Sequence, residues 1–382
     1  MNIGGSPDMV LERIGRLGPR PLGEVLDLAL YHPNGGFYET GGAAGRRGGD
    51  FLTSPEVGPL FGVVLARALD GWWRSMGEPD PFLVVEAGAG QGTLAQTIRS
   101  AAPKCSEALR YVLVERSAAQ RARHAERLPL EHPSLVLPPV DPDTEQPVPE
   151  AQRGPLFTSL AELPRAPGVP AVVLANELLD NLPFDLAEKT DHNWQEVRVG
   201  AEEGSLVEVL VPLDEPRSGL LDRLAPSALP GARVPLQQCA GAWLQDALST
   251  AGPKGRVVVI DYATTTADLA QRPQVEWLRT YRDHARGGDH LEALGTQDIT
   301  CEVAVDQLAT IRPPKSNQSQ QDWLESWGIE DLVAEGQRIW TAQASNPNVA
   351  ALAARSRTPE AAALTDPKGL GAFRVLEWHS RN

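Results

Sequence analysis

The chain has little cysteine: Cys105, Cys239 and Cys301 are the three in 382 residues, and no CxxC pair occurs. That spacing argues against a structural zinc site or a disulfide framework, and makes a reducing compartment the expectation. His32, His284 and His290 form no metal-ligand spacing either, so no metal is expected. Long apolar runs are missing; the longest are strand length, short of the roughly 18 residues a membrane span needs. The first residues carry no apolar signal-peptide core. No GxSxG elbow or Walker A loop occurs, which weakens hydrolase and NTPase readings. Basic residues are outnumbered, 35 Lys and Arg against 50 Asp and Glu, for a formal net charge of −15. A nucleic-acid binder needs a basic face, so no nucleic-acid partner is expected. The expectation is an acidic cytoplasmic protein.

What is present is a globular balance, 42% hydrophobic and 22% charged, with 35 Gly and 33 Pro. Residues 8–31 read as helical. A glycine-rich stretch follows, and Thr53-Ser-Pro-Glu56 then reads as a helix start, with a hydroxyl cap and Pro in the first turn. That helix carries Leu60, Phe61, Val64, Leu65, Ala68, Leu69 and Trp72 at three- and four-residue spacing. From Pro81 onward, short apolar runs alternate with helix-length segments: Phe82–Glu86, Tyr111–Glu115, Ala171–Leu174 and Arg256–Ile260. Each has polar residues at its carboxyl end. The pattern predicts a doubly wound parallel α/β sheet, whose ligands bind at those strand ends. Residues 138–156 read as an exposed loop, 193–213 as a β-hairpin inserted on the core, and Phe373–Trp378 as a closing edge strand. The predicted organisation is a helical and Gly-rich cap over residues 1–80 and a core over 81–382, with an insertion at about 186–235.

Three stretches could carry chemistry. In Glu86-Ala-Gly88-Ala-Gly90-Gln-Gly92-Thr93, glycines after a strand let backbone approach a ligand, and the next helix's N-terminus favours a negative group. Glu115, at the next strand's end, is placed to accept from a ribose diol. The spacing is GxGxG and not the dinucleotide GxGxxG, which leaves a methyltransferase, a nucleotide-dependent oxidoreductase and a plain structural turn open. Asn176-Glu177-Leu-Leu-Asp180 puts three polar groups over the sheet edge. They could fork onto a guanidinium, or merely cap the segment that follows. Gly49-Asp50-Phe-Leu-Thr53-Ser54-Pro-Glu56 could be a lid over a cofactor, or a capped helix after a loop.

Taken in order, Tyr31-His-Pro-Asn-Gly-Gly-Phe-Tyr38, Asp50 to Glu56 with Phe61-Gly62, Glu86 to Thr93, Ala175 to Pro183, Ile260-Asp-Tyr262 and Asp298-Ile-Thr300 resemble one family. The chain is similar to the MidA-like S-adenosyl-L-methionine (SAM) dependent methyltransferases, which include a mitochondrial complex I assembly factor that methylates a protein arginine. The resemblance implies a class I, Rossmann-like methyltransferase fold with SAM as cofactor. SAM would lie on Glu86, Gly88, Gly90, Gly92 and Thr93 with its ribose on Glu115, under a segment including Asp50, Thr53 and Ser54. Asn176, Glu177 and Asp180 would line the acceptor pocket as catalytic residues, for a protein substrate with an exposed arginine. Departures from the family pattern are Ala89, Gln91, Leu178-Leu179 and Asn181. A small-molecule methyltransferase and a non-catalytic SAM-binding scaffold are the alternatives, and a homodimer is left open.

Overall fold

A computed structural model describes residues 6–40, 53–137, 153–165, 168–282 and 285–380. Its centre is a seven-stranded sheet: β1 (Phe82–Ala87), β2 (Leu109–Val114), β3 (Leu156–Leu160), β4 (Ala171–Asn176), β5 (Arg256–Asp261), β6 (Ser316–Ser319) and β7 (Arg374–His379). The order across it is β6-β7-β5-β4-β1-β2-β3. Strands β1 to β5 pair in parallel, and β7 runs antiparallel to both β5 and β6. The sheet is therefore parallel except for β7.

Every residue of β1 and β2 is buried, as a parallel sheet covered on both faces requires. Side chains alternate strictly between the two faces. Phe82, Val84, Val172 and Leu174 point to a core shared with the helices Pro59–Ser75 and Thr93–Ala101. Leu83, Val85, Ala171 and Val173 point to the other, covered by the helix Gln238–Ala251. Each fully buried Val, Leu or Phe contributes about 1.5–3 kcal/mol relative to exposure. The tryptophans Trp194, Trp277, Trp323 and Trp378 are among the largest fully buried side chains.

Four expectations are refined. The helix expected over 8–31 is two helices, Ser6–Leu17 and Leu22–Tyr31, divided by Gly18 at φ +76° and the prolines that follow. Thr53 precedes a short helix, Ser54–Val57, but its hydroxyl makes no cap bond. The next helix instead takes a distant cap: Leu60 N donates to Glu360 Oε2 at 2.8 Å, from a residue 300 positions on. Of the expected loop 138–156, residues 138–152 lie outside the described residues and Leu156 already begins β3, and β7 is interior because β6 lies outside it.

The hairpin is present, Trp194–Glu202 paired with Ser205–Pro212 around Glu203 and Gly204, both at positive φ. It belongs to a five-stranded antiparallel sheet with Asp185–Lys189, Arg233–Leu236 and the short strand Arg20–Pro21. Leu22, Leu26 and Leu30 of the N-terminal helix pack on this sheet through Leu186, Trp194 and Val197. The helix and the glycine-rich turn after it are thereby held over the carboxyl ends of the central strands.

Candidate functional site

A cavity of about 770 Å³ opens at those strand ends. At one end lies the loop after β1. Gly88, Gly90 and Gly92 all have positive φ, +70°, +52° and +80°, a conformation that other residues adopt only with strain. A Cβ on Gly88 would meet Leu178 Cδ1 at 2.9 Å, whereas one on Gly90 would point into open space. The loop leads into the N-terminus of the helix Thr93–Ala101. Glu115 braces it: Oε2 accepts from Gly90 N at 2.9 Å and Oε1 from Ser117 N at 2.8 Å. Burial pushes the Glu115 carboxyl up, against those two amides. His124 Nε2 lies 2.8 Å from Gly90 O and Nδ1 2.8 Å from the Ser159 hydroxyl. A carbonyl only accepts, so Nε2 carries the proton; burial lowers the pKa and keeps the ring neutral. Glu86, also on the cavity wall, accepts from Tyr111 OH at 2.9 Å, and burial raises it to about 8.

At the other end lies the turn after β4. Glu177 is held at φ +50°, and its amide donates to Ile260 O at 2.8 Å. Its Oε1 accepts from Ser54 N and from Asn176 Nδ2, both at 3.0 Å. Burial raises Glu177 to about 8, helped by the like charges of Asp180 and Glu56 and opposed by the Ser54 amide. Asp180 does not join the wall. It is 2% exposed and accepts from Tyr262 OH at 2.5 Å, while Asp261 takes the amides of Leu179 and Tyr262 at 3.0 Å. Burial raises Asp180 to about 7.

The structure thus brings Thr53, Glu86, Gly88, Gly90, Thr93, Glu115, Asn176 and Glu177 onto one cavity. Ser54 and Gly92 stand behind it: Ser54 presents its amide to Glu177, and Gly92 begins a helix against Leu113 and His124. Asp50 lies outside the described residues. Several wall residues were not singled out from sequence. Tyr31 and Tyr38 stack at 5.4 Å, Tyr38 OH donates to Asp298 Oδ1 at 2.9 Å, and Asn181 Nδ2 reaches the same oxygen at 3.0 Å. Their motifs were visible, but nothing local showed that residues so far apart would meet. His124 gave no signal at all.

A model of the family described as "Putative S-adenosyl-L-methionine-dependent methyltransferase" matches residues 64–324. Among curated proteins, the chain is 33% identical over 216 residues to the mitochondrial "Protein arginine methyltransferase NDUFAF7 homolog" of Drosophila melanogaster, covering 53% of this chain and 48% of that one. It is 26% identical over 346 residues to the mitochondrial "Protein arginine methyltransferase NDUFAF7" of Homo sapiens, covering 84% and 73%. The chain spans about half the length of the fly relative it matches. A crystal structure from Burkholderia thailandensis bound to S-adenosyl-homocysteine (SAH) superposes with a TM-score of 0.78 at 26% identity, covering 98% of this chain and 92% of that one. The expectation of a cytoplasmic protein is overturned by the curated relatives, which are mitochondrial by name. No described helix is long and apolar enough to cross a membrane.

Proposed function

The chain belongs to the S-adenosyl-L-methionine-dependent methyltransferase family, and we propose that it transfers methyl to an arginine guanidinium of a protein. The residues suit the cofactor: Gly90 leaves open the space a side chain would fill, and Glu115 stands beside it with both oxygens oriented by backbone amides. We assign Glu86, Gly88, Gly90, Thr93, Glu115 and Thr53 to cofactor binding, with Gly92 and Ser54 supporting them. When bound, the cofactor supplies a methyl already activated by its positive sulfur.

The single observation that carries the acceptor assignment is Glu177. Two donors fix one of its oxygens, and the carboxyl is left on the cavity wall joined to the glycine loop. A carboxylate so held binds a guanidinium, orients one nitrogen along the line of transfer, and excludes water from it. As the nitrogen–carbon bond forms, the carbon–sulfur bond breaks, and the nitrogen must shed one proton. Burial raises Glu177 to about 8 in the empty cavity, the bound cation favours its ionised form, and that carboxylate is placed to take the proton. Asn176 fixes Glu177, and Asp180 supports its turn from behind through Tyr262. The segment before residue 81 serves as a cap on the core, and the sheet around 186–235 as the insertion that carries it.

The test is transfer of labelled methyl from SAM into lysate, followed by acid hydrolysis of the protein fraction. Methylarginine in wild type and none with Glu177→Gln is expected. Label confined to small metabolites would favour a small-molecule acceptor, and no transfer with intact SAH binding would favour a scaffold.

A further inference from the structure

Glu56 was no part of the assigned machinery, yet it stands on the same wall as Glu177. The short helix Ser54–Val57 delivers it, and the same helix gives its first amide to Glu177 Oε1. Three oxygens on this wall are buried with no hydrogen-bond partner among the described residues: Glu56 Oε2, Glu177 Oε2 and Asn176 Oδ1. With the two acids ionised, all three are acceptors. Asn176 has already spent its amide nitrogen on Glu177, so its carbonyl must face away from that bond. Leaving buried acceptors without donors is costly, more so when they are charged, so a complementary ligand is one rich in donors. A guanidinium has five N–H donors and no acceptor.

We propose that Glu56 is the second carboxylate of the acceptor pocket, so that the guanidinium is held between Glu56 on the cap-side helix and Glu177 on the core. The inference rests on the guanidinium reading above and deepens it. Seating the acceptor would then need the Ser54–Val57 helix in place, since that helix both orients Glu177 and supplies its partner. Glu56 is among the like charges that raise Glu177, and burial raises Glu56 itself to about 7, with Arg127 opposing. A cation between them relieves that repulsion, whereas a neutral acceptor does not. Ammonium-type ligands offer three donors from one point, without the planar fork that pairs bidentately with a carboxylate.

The experiment titrates ethylguanidinium, with ethylammonium as comparison, into the full chain by saturation-transfer NMR, with and without SAH. Wild type should prefer ethylguanidinium. Glu56→Gln should weaken it about tenfold or more, the usual worth of one hydrogen bond to a charged group. SAH affinity should stay within about twofold, and Glu56→Asp should recover part of the loss. If Glu56→Gln binds the probe like wild type while Glu177→Gln loses it, the inference is overturned and the proposed function stands. If SAH affinity falls as far as probe affinity, Glu56 serves the cofactor and the inference is again overturned. If wild type shows no preference for ethylguanidinium, the guanidinium reading itself fails.

Discussion

The two ends of the cavity are built differently. At the glycine-loop end, three side chains are already satisfied by the chain itself: Glu115 by two amides, Glu86 by Tyr111, His124 by a carbonyl and a hydroxyl. At the other end, oxygens of Glu56, Asn176 and Glu177 are buried without donors among the described residues. On the proposed reading, one end is preorganised and the other is completed by the guanidinium it binds. Preorganisation lowers the cost of holding a ligand common to many reactions, while unmet acceptors make binding depend on a particular donor set.

The largest expected effect breaks the first end. Gly90→Val fills the open space at φ +52°, where a β-branched residue is strained, and should abolish SAH binding by calorimetry; unchanged affinity would mean the cofactor lies elsewhere. Next, Glu177→Gln should abolish methyl transfer while leaving SAH affinity within a few fold; normal turnover would remove Glu177 from the reaction. Third, Glu115→Gln should weaken SAH by about tenfold and leave ethylguanidinium binding unchanged. Equal effects on both ligands would show that the two ends are not separate.

A smaller effect is the pH dependence of stability. Burial raises Glu86 and Glu177 to about 8 and Glu56 and Asp180 to about 7. Between the ordinary carboxylate range and those values, the folded chain holds protons the unfolded chain has lost. Stability from these groups is therefore full below the unfolded pKa and is lost as pH rises through about 7 to 8. The melting temperature of the unliganded protein should fall from about pH 5 to pH 8, and Glu177→Gln should flatten that fall. A slope that rises instead would show these acids ionised in the empty cavity. Smallest is Tyr38→Phe, expected to cost about 0.5–1.5 kcal/mol in denaturant unfolding, since Asp298 keeps Asn181 as a donor.

Five of the seven central strands were legible: β1, β2, β4 and β5 are apolar runs buried on both faces, and β7 was visible as the final apolar run, though it is not at the edge. Strand β3 was missed because Leu156-Phe-Thr-Ser-Leu160 at the sheet edge has one apolar residue fully buried, Phe157. Strand β6, Ser316-Asn-Gln-Ser319, has no apolar residue at all; its register comes from pairing with β7. In the site, motif spacing placed Glu86, the glycines, Glu115, Asn176 and Glu177 near strand ends. It could not separate Glu177 from Asp180, three residues on, because the positive φ at Glu177 turns one toward the cavity and the other toward Tyr262.

The Tyr38–Asp298 hydrogen bond spans 260 residues of chain. At ordinary rates of synthesis, roughly ten to fifty seconds separate the emergence of its two partners from the ribosome. The glycine loop and its bracing Glu115 are complete long before then. A nascent chain can therefore possess the glycine loop while the Tyr38 hydroxyl still lacks the Asp298 carboxylate it donates to. The order in which the protein is made keeps the pocket from assembling until most of the polypeptide exists.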